Sequence, residues 1–145
     1  MKPHLQERVK REKLDNCRFY APMPKKELNA IVASADVGLM VLANIPAFYY
    51  GTSPNKFFDY VSSGLAVLNN YPGWLADMIK ENNLGVVVPP NNAQAFADGL
   101  IKLVDDDNYR MNAGQNARRF AEANFSRKKL ADDFVSFLEE ISLVK

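Results

Sequence analysis

Four short apolar runs alternate with stretches of helical periodicity along the first two thirds of the chain. The runs are "CRFYAP" at 17–22, "VGLMVLA" at 37–43, "LAVLNN" at 65–70 and "LGVVVPP" at 84–90. Short, partly β-branched runs bounded by Gly, Pro, Asn or Asp are typical of strands. The near-continuous apolar character of the last three indicates strands that are covered on both faces, as in a parallel sheet. The pattern therefore predicts about four parallel strands.

Helical spacing of apolar residues marks the segments between and after these runs. The residues concerned are Leu28, Ile31, Val32 and Ala35, then Leu75, Met78 and Ile79, then Ala93, Phe96, Ala97, Leu100, Ile101 and Val104. Repeated strand-helix-strand order predicts an α/β fold in which helices flank a parallel, right-handed sheet. Beyond residue 105 the pattern is only helical, and Ser126 is placed to cap the last helix. We expect a single domain over 1–145, with an α/β portion at 1–105 and a helical tail at 106–145.

The composition of the chain limits the classes of protein to which it can belong. The 145 residues, 48% of them apolar, are enough for one domain with a sizeable core. Eighteen basic and 17 acidic side chains give a formal net charge of +1, so no global field attracts nucleic acid or an anionic bilayer. One cysteine, Cys17, and one histidine, His4, provide neither a disulfide framework nor a Cys/His metal site. With no apolar signal region or membrane-length run, we expect a cytoplasmic protein without a metal or a cofactor.

A basic cluster in the helical tail raises the possibility of nucleic-acid binding. Its members are Arg118, Arg119, Arg127, Lys128 and Lys129, and the acidic residues interleaved with them are Glu122, Asp132, Asp133, Glu139 and Glu140. No aromatic stacking motif accompanies the cluster. The pattern therefore favours a solvated helix face, and no nucleic-acid partner is expected.

The common catalytic and nucleotide-binding motifs are missing from the sequence. There is no G-x-G-x-x-G after a strand, no G-x-x-x-x-G-K-[ST] and no G-x-S-x-G. His4 precedes the first predicted strand, which argues against a nucleophile-histidine triad. Any nucleotide site must therefore be built in another way.

The stretch "GTSPNKFFDYVSSG" at 51–64 carries the best candidate site. It follows the second predicted strand, at the carboxyl edge of the sheet, where open α/β folds bind ligands. Thr52 or Ser53 can cap a helix, Pro54 suits its first turn and Gly64 suits its end. These signals predict a helix from about 54 to 63 whose amino terminus points to the ligand edge.

Three polar residues share one face of this predicted helix, namely Asn55, Lys56 and Asp59. The first-turn amides, the positive end of the helix dipole and Lys56 together suit a phosphate. An ionised Asp59 only accepts hydrogen bonds, so its natural partner is a hydroxyl pair such as a ribose diol. An ordinary helix start with a weak Lys56–Asp59 surface ion pair fits the spacing about as well.

Three motifs in this order give the chain a family resemblance. They are "RFYAPMPKKELNAIVASADVGLMVL", "SPNKFFDYVSSGLAVL" and "NNLGVVVPPNNAQAFADGL". Together they resemble the nucleotide-sugar-binding domain of retaining glycosyltransferases of family 4, which have the GT-B fold of two facing Rossmann-like domains. "SPNKFFDYVSSG" followed by "PGWLADMI" resembles the subgroup that builds bacterial surface polysaccharides.

The resemblance implies roles for individual residues. Asp59 falls at the second acidic position of the family's E-x7-E motif, which binds the donor's ribose. Thr52, Ser53 and the amides leading into the helix fall where the family holds the diphosphate and the sugar. Eight positions before Asp59, where the family has its first acidic residue, this chain has Gly51.

The nucleobase loop of the family corresponds to "APMP" at 21–24, and so to Pro22 and Met23. With Asn55 and Lys56 added from the helix face, the resemblance implies a nucleotide diphosphate sugar as donor substrate. It implies retaining, metal-free transfer of a sugar to a saccharide or lipid-linked acceptor, with the parent enzyme in the cytoplasm or peripheral at the inner face of the plasma membrane.

The resemblance also implies that parts of the family's architecture lie outside this chain. The family's second domain normally begins with two further strands and a basic pair, and an acceptor-binding domain precedes it. We therefore expect a fragment that is inactive alone, and whose uncovered apolar sheet surface promotes self-association or a rearranged strand order.

Two other functions also fit the sequence. A noncatalytic glycosyltransferase-like binding or scaffolding module is favoured slightly by Gly51. A flavodoxin-like regulatory domain would need an acidic phosphoacceptor at a strand end, and Asp36 precedes its strand instead.

Overall fold

The computed structural model describes residues 2–143, which form three strands, seven α-helices and a short 3-10 turn at Pro46–Phe48. The elements in chain order are α1 (Lys2–Arg11), α2 (Lys25–Ala33), β1 (Val37–Met40), α3 (Asn55–Ser62), β2 (Ala66–Asn69), α4 (Trp74–Glu81), β3 (Gly85–Val87), α5 (Ala93–Asp105), α6 (Asp107–Asn124) and α7 (Arg127–Leu143). The α/β class with flanking helices and a helical tail is confirmed, although Met1 and the last two positions of the predicted tail lie outside the described residues.

The sheet is parallel, with the order β1-β2-β3. Val37 pairs with Ala66, and Val67 pairs with Gly85, so the three carboxyl ends lie along one edge. Every residue of β2 is buried because β2 is central and both of its faces are covered. These strands fall within the predicted runs at 37–43, 65–70 and 84–90.

The prediction of a fourth strand at 17–22 is wrong. This segment adopts no regular secondary structure, and the side chains of Phe19 and Tyr20 are exposed. A strand needs a neighbour that satisfies its backbone amides and carbonyls. No described strand lies beside residues 17–22, so this segment does not form a strand despite its apolar residues.

Each face of the sheet packs against its own group of buried side chains. One group contains Met40, Phe57, Val61, Val67, Leu75, Ile79, Leu84, Ala117 and Ala121. The other contains Ala66, Leu68, Val88, Leu103 and Ala113. Since α6 contributes to both groups, this helix crosses the edge of the sheet and joins the two layers.

A close backbone contact holds α6 at the amino edge of the sheet. Gly64 has φ +75 and follows the last turn of α3, which confirms the predicted end of that helix. A Cβ at position 114 would overlap the carbonyl oxygen of Gly64. The absence of a side chain at Gly114 therefore lets α6 approach the turn between α3 and β2.

The tail predicted from helical periodicity forms α6 and α7, and Ser126 directly precedes α7. Its charged faces carry ion pairs one helical turn apart, at Arg118–Glu122, Lys128–Asp132 and Lys129–Asp133. The apolar stripe of α7 is exposed and consists of Leu130, Phe134, Phe137, Leu138 and Ile141.

Candidate functional site

The amino terminus of α3 has no side-chain cap. The helix begins at Asn55, and Pro54 occupies the N-cap position with an extended backbone (φ −71, ψ 121). The predicted capping by Thr52 or Ser53 and the predicted place of Pro54 in the first turn are therefore wrong, whereas the helix predicted from about 54 to 63 is confirmed to within one residue at each end. Proline carries no side-chain acceptor, and ψ near 120 keeps Pro54 outside the helix. Within residues 2–143 no acceptor is found for the amides of Asn55 and Lys56, which is the arrangement that suits an external anion.

Lys56 lies at the carboxyl edge of the sheet. Its ammonium nitrogen is 3.5 Å from the carbonyl oxygen of Val41, just beyond the end of β1. Burial lowers the pKa of Lys56, because the partly desolvated ammonium is less stable than in water. No carboxylate in the described part of the chain forms an ion pair with Lys56. A cation without a counter-ion therefore stands near the uncapped helix end.

Asp59 forms its ion pair with Lys25 and not with Lys56. The two side chains approach to 3.1 Å, and Lys25 is the first residue of α2. This residue directly follows the segment at 21–24, in which Pro22 is exposed and Met23 is half-buried. The ion pair therefore connects the predicted nucleobase loop to the predicted ribose-binding carboxylate. Burial, together with the negative charge of Asp59, raises the pKa of Tyr60 on the same helix.

The loop before α3, residues 43–54, contains the remaining predicted site residues. Gly51 and Ser53 are exposed and Thr52 is half-buried. The indole N–H of Trp74 donates a hydrogen bond to the carbonyl oxygen of Thr52 at 3.0 Å. This loop is therefore attached to the start of α4 directly before it enters α3.

Polar side chains follow β2 at the same edge of the sheet. The side-chain amide of Asn70 accepts a hydrogen bond from the backbone N–H of Leu42 at 2.9 Å and donates one to its carbonyl at 3.1 Å. The side chain of Asn69 is fully buried and hydrogen-bonds to both backbone groups of Tyr71. These bonds fix the loops that surround the edge.

Two open cavities flank the candidate site. One of about 570 Å³ is lined by residues that follow each of the three strands, among them Val41, Asn70 and Asn91. Another of about 540 Å³ lies between α3 and the end of α6 and includes Asp59. Lys56 and Asp59 thus share a helix, but Lys56 contacts the end of β1 whereas Asp59 faces α2 and the second cavity.

Comparison with known proteins identifies the family. The family model described as "Glycosyl transferases group 1" matches residues 2–120. The chain belongs to the group 1 glycosyl transferases. A D-inositol 3-phosphate glycosyltransferase of Corynebacterium glutamicum is 31% identical over 119 residues, which are 79% of this chain and 25% of that protein. The homologous enzyme of Corynebacterium efficiens is 30% identical over 128 residues, or 85% of this chain and 27% of that protein.

Solved structures confirm the GT-B type of fold for this glycosyl transferase chain. Sucrose-phosphate synthase from Thermosynechococcus elongatus superposes with a TM-score of 0.80 at 18% identity, over 99% of this chain and 35% of that chain. The C-terminal domain of a group 1 glycosyl transferase from Francisella tularensis gives 0.68 at 21% identity, over 87% of this chain and 63% of that chain. This chain therefore spans only about a quarter of the curated relatives that it matches.

Three residues around the site of this group 1 glycosyl transferase were not predicted from the sequence, namely Lys25, Asn70 and Trp74. Lys25 pairs with a residue 34 positions away, which no local pattern reveals. Trp74 lies in the quoted motif "PGWLADMI", and a buried indole generally requires a hydrogen-bond acceptor. The sequence could therefore have predicted that Trp74 has a hydrogen-bond acceptor, but not that the acceptor is Thr52.

Within residues 2–143, no three His, Cys, Asp or Glu side chains are grouped closely enough to hold a metal ion. In the same part of the chain, no helix combines the length and the apolar character that crossing a bilayer requires.

Proposed function

We propose that this group 1 glycosyl transferase domain binds the nucleotide diphosphate sugar donor of a retaining glycosyltransferase. The observation that carries the proposal is the uncapped amino terminus of α3 next to the partly desolvated ammonium of Lys56. Both stand at the carboxyl edge of a parallel sheet, where α/β folds bind their ligands. Membership of the family supplies the class of substrate.

The diphosphate is the part of the donor that this arrangement suits best. The amides of Ser53, Asn55 and Lys56 find no acceptor among the described residues, and the helix dipole adds a positive potential at the same point. Negative charge develops on the diphosphate as the bond to the sugar breaks. Fixed amide donors and a cation at this helix end would stabilise the leaving group without a metal.

The nucleoside would lie between α3 and the loop at 21–24. Lys25 engages one carboxylate oxygen of Asp59, Oδ1, at 3.1 Å, and a carboxylate can accept further hydrogen bonds on its second oxygen. We propose that this second oxygen accepts hydrogen bonds from the ribose hydroxyls. Pro22 and Met23 then provide an apolar contact for the base, while Gly51, Thr52 and Ser53 lie along the diphosphate and the sugar.

The acceptor belongs to the part of the transferase beyond this domain. The chain corresponds to about a quarter of its curated relatives, so a saccharide or lipid-linked acceptor would be bound elsewhere in the whole enzyme. We extend the proposal to a role in bacterial surface polysaccharide synthesis and to a site of action in the cytoplasm or at the inner face of the plasma membrane.

Calorimetric titration of the chain with UDP, GDP and ADP in the presence of EDTA tests the proposal. We expect saturable binding of at least one of the three, weakened by Lys56→Gln. The control Lys80→Gln removes the same charge at an exposed position near the end of α4. If none of the three nucleotides binds, or if Lys56→Gln binds as tightly as the wild type, the proposed donor site is wrong. Binding without sugar transfer by the longer protein would instead identify a noncatalytic module.

A further inference from the structure

Trp74 connects two loops at the carboxyl edge of the sheet. It is the chain's only tryptophan and the first residue of α4. Its half-buried ring packs against the side-chain group that contains Met40 and Phe57. Its indole N–H donates to the carbonyl oxygen of Thr52 at 3.0 Å. One side chain therefore joins the core to the loop that leads into α3.

Other contacts strengthen the same connection. The hydroxyl group of Tyr71 lies 3.4 Å from the carbonyl oxygen of Ile45, and the rings of Tyr49 and Tyr71 meet edge to face at 5.0 Å. Gly73 has φ +95, and a Cβ there would overlap the backbone carbonyl of Tyr49. The segment 70–74 and the loop 43–54 therefore pack backbone against backbone, and we call this arrangement the loop clasp.

The hydrogen bond from Trp74 fixes the orientation of one particular peptide group. The carbonyl of Thr52 and the N–H of Ser53 belong to the same planar trans peptide, so they point in opposite directions. Holding the carbonyl against the indole therefore turns the Ser53 N–H away from Trp74. No acceptor for that N–H exists within residues 2–143, so it remains available to a ligand.

We propose that Trp74 is a positioning residue for the diphosphate site, because it sets the direction of the Ser53 amide ahead of α3. This inference rests on the proposed donor-binding function. An indole suits the role since it donates one hydrogen bond, accepts none and carries no charge that would compete with an anion. The clasp then limits rotation of the Thr52–Ser53 peptide, so less conformational freedom is lost when the ligand binds.

Trp74→Phe keeps an aromatic ring and removes the donor. The matched control is Tyr109→Phe, which removes the hydrogen bond from the Tyr109 hydroxyl to the carbonyl of Gly85 (2.9 Å) near the amino edge of β3. Losing one net hydrogen bond corresponds to a change of up to about tenfold in an equilibrium constant. We expect Trp74→Phe alone to weaken nucleoside diphosphate binding by about tenfold, with a loss of stability similar to that of the control.

Amide hydrogen exchange in the free protein provides a readout that does not depend on the ligand. The N–H of Thr52 donates to the carbonyl of Phe48 at 3.2 Å, and we expect its exchange to accelerate in Trp74→Phe but not in Tyr109→Phe. Unchanged Thr52 exchange would overturn the positioning role. So would equal losses of nucleotide affinity in both variants. Failure of the wild type to bind any nucleoside diphosphate would reject the proposed function, while the exchange result would still decide whether Trp74 orders the loop.

The fluorescence of the wild-type chain provides a test without substitution. Because Trp74 is the sole tryptophan, its emission reports from the clasp alone. We expect the emission to change during titration with the nucleoside diphosphate that binds in calorimetry, with the same midpoint. Calorimetric binding without any change in emission would contradict coupling between Trp74 and the site.

Discussion

Asn70 extends the pairing between β1 and β2 beyond the last backbone ladder position. The ladder ends where Met40 pairs with Asn69, and the Asn70 side chain then hydrogen-bonds to both the N–H and the carbonyl of Leu42. The intervening residue is Val41, whose carbonyl faces the ammonium of Lys56. The side chain of Asn70 thus holds in place the backbone next to the ammonium group of Lys56.

Asn70→Asp should destabilise the fold. The substitution keeps an acceptor for the N–H of Leu42 but places a second oxygen against the Leu42 carbonyl. Leaving a partly buried polar group without its partner costs about 1–3 kcal/mol, which urea unfolding can measure. Asn116→Asp is the control, because the Asn116 amide makes one exposed contact of 3.3 Å to the carbonyl of Asn83. Equal stability of the two variants would show that Asn70 contributes no more than a surface residue.

Asp59→Ala should weaken nucleotide binding while leaving the fold intact. Loss of charge-assisted hydrogen bonds to the ribose corresponds to about 1.5–3 kcal/mol of binding free energy, measured by calorimetry. Breaking the exposed pair with Lys25 should change the free energy of unfolding by no more than about 1 kcal/mol.

Lys25→Met is the matched control for Asp59, because it breaks the same ion pair but keeps the carboxylate. We expect similar stability in both variants and a major loss of affinity only in Asp59→Ala. Unchanged nucleoside diphosphate affinity in Asp59→Ala would exclude the ribose role.

Lys56→Gln should separate stability from activity. A lysine in the first turn meets the positive end of the helix dipole, so its removal should leave the fold equally stable or about 0.3 kcal/mol more stable. Sugar transfer by the longer enzyme should fall roughly ten- to a thousandfold, because leaving-group stabilisation is lost. Lower thermal stability together with an unchanged transfer rate would identify a structural lysine.

The lowered pKa of Lys56 also predicts a pH dependence of stability. The folded protein releases this proton at a lower pH than the unfolded chain, so the unfolded state holds more protons in the interval below the ordinary lysine pKa of about 10.4. The free energy of unfolding of the wild type, relative to Lys56→Gln, should therefore rise as the pH increases through that interval. Denaturant unfolding of both proteins at about pH 7 and about pH 10 measures the difference. A difference that stays constant or falls would contradict the assigned burial effect.

Self-association through β1 remains a prediction. This strand pairs on only one side within the described residues, and Leu39 and Val41 are 37% and 58% exposed at that border of the sheet. Sedimentation velocity should show concentration-dependent assembly that Val41→Lys reduces, because a lysine discourages edge pairing. Val104→Lys is the control, since Val104 is also 58% exposed but lies on α5. A monomer at all concentrations would contradict the prediction.

Local sequence patterns correctly predicted the strands that have a neighbouring strand to pair with in the fold. The runs at 37–43, 65–70 and 84–90 became strands, whereas the run at 17–22 did not, because strand formation depends on a neighbour that the run itself does not specify. The helix α1 was not predicted, since "KPHLQERVKR" is mostly polar and buries no residue. Apolar periodicity detects helices through the face that they bury, so it misses one that buries none.

The candidate site was predictable as a region but not as a set of contacts. The helix near 54–63 and the position of Lys56 at its start followed from the local sequence. The pairing of Asp59 with Lys25, and the attachment of Thr52 to Trp74, depend on how separate loops meet at the sheet edge. The simplest local expectation was an ion pair between Lys56 and Asp59, and the structure has the tertiary pair between Lys25 and Asp59 in its place.

The contact between Gly64 and Gly114 also bears on which substitutions a mutational scan would tolerate. Any side chain at 114 collides with the backbone carbonyl of residue 64. Every amino acid has a backbone carbonyl, so no substitution at 64 can remove this collision. Collisions between two side chains are open to suppressor mutations, but this one is not. Position 114 should therefore reject every replacement without a compensating partner, and the neighbouring exposed position of Gln115 should accept most of them.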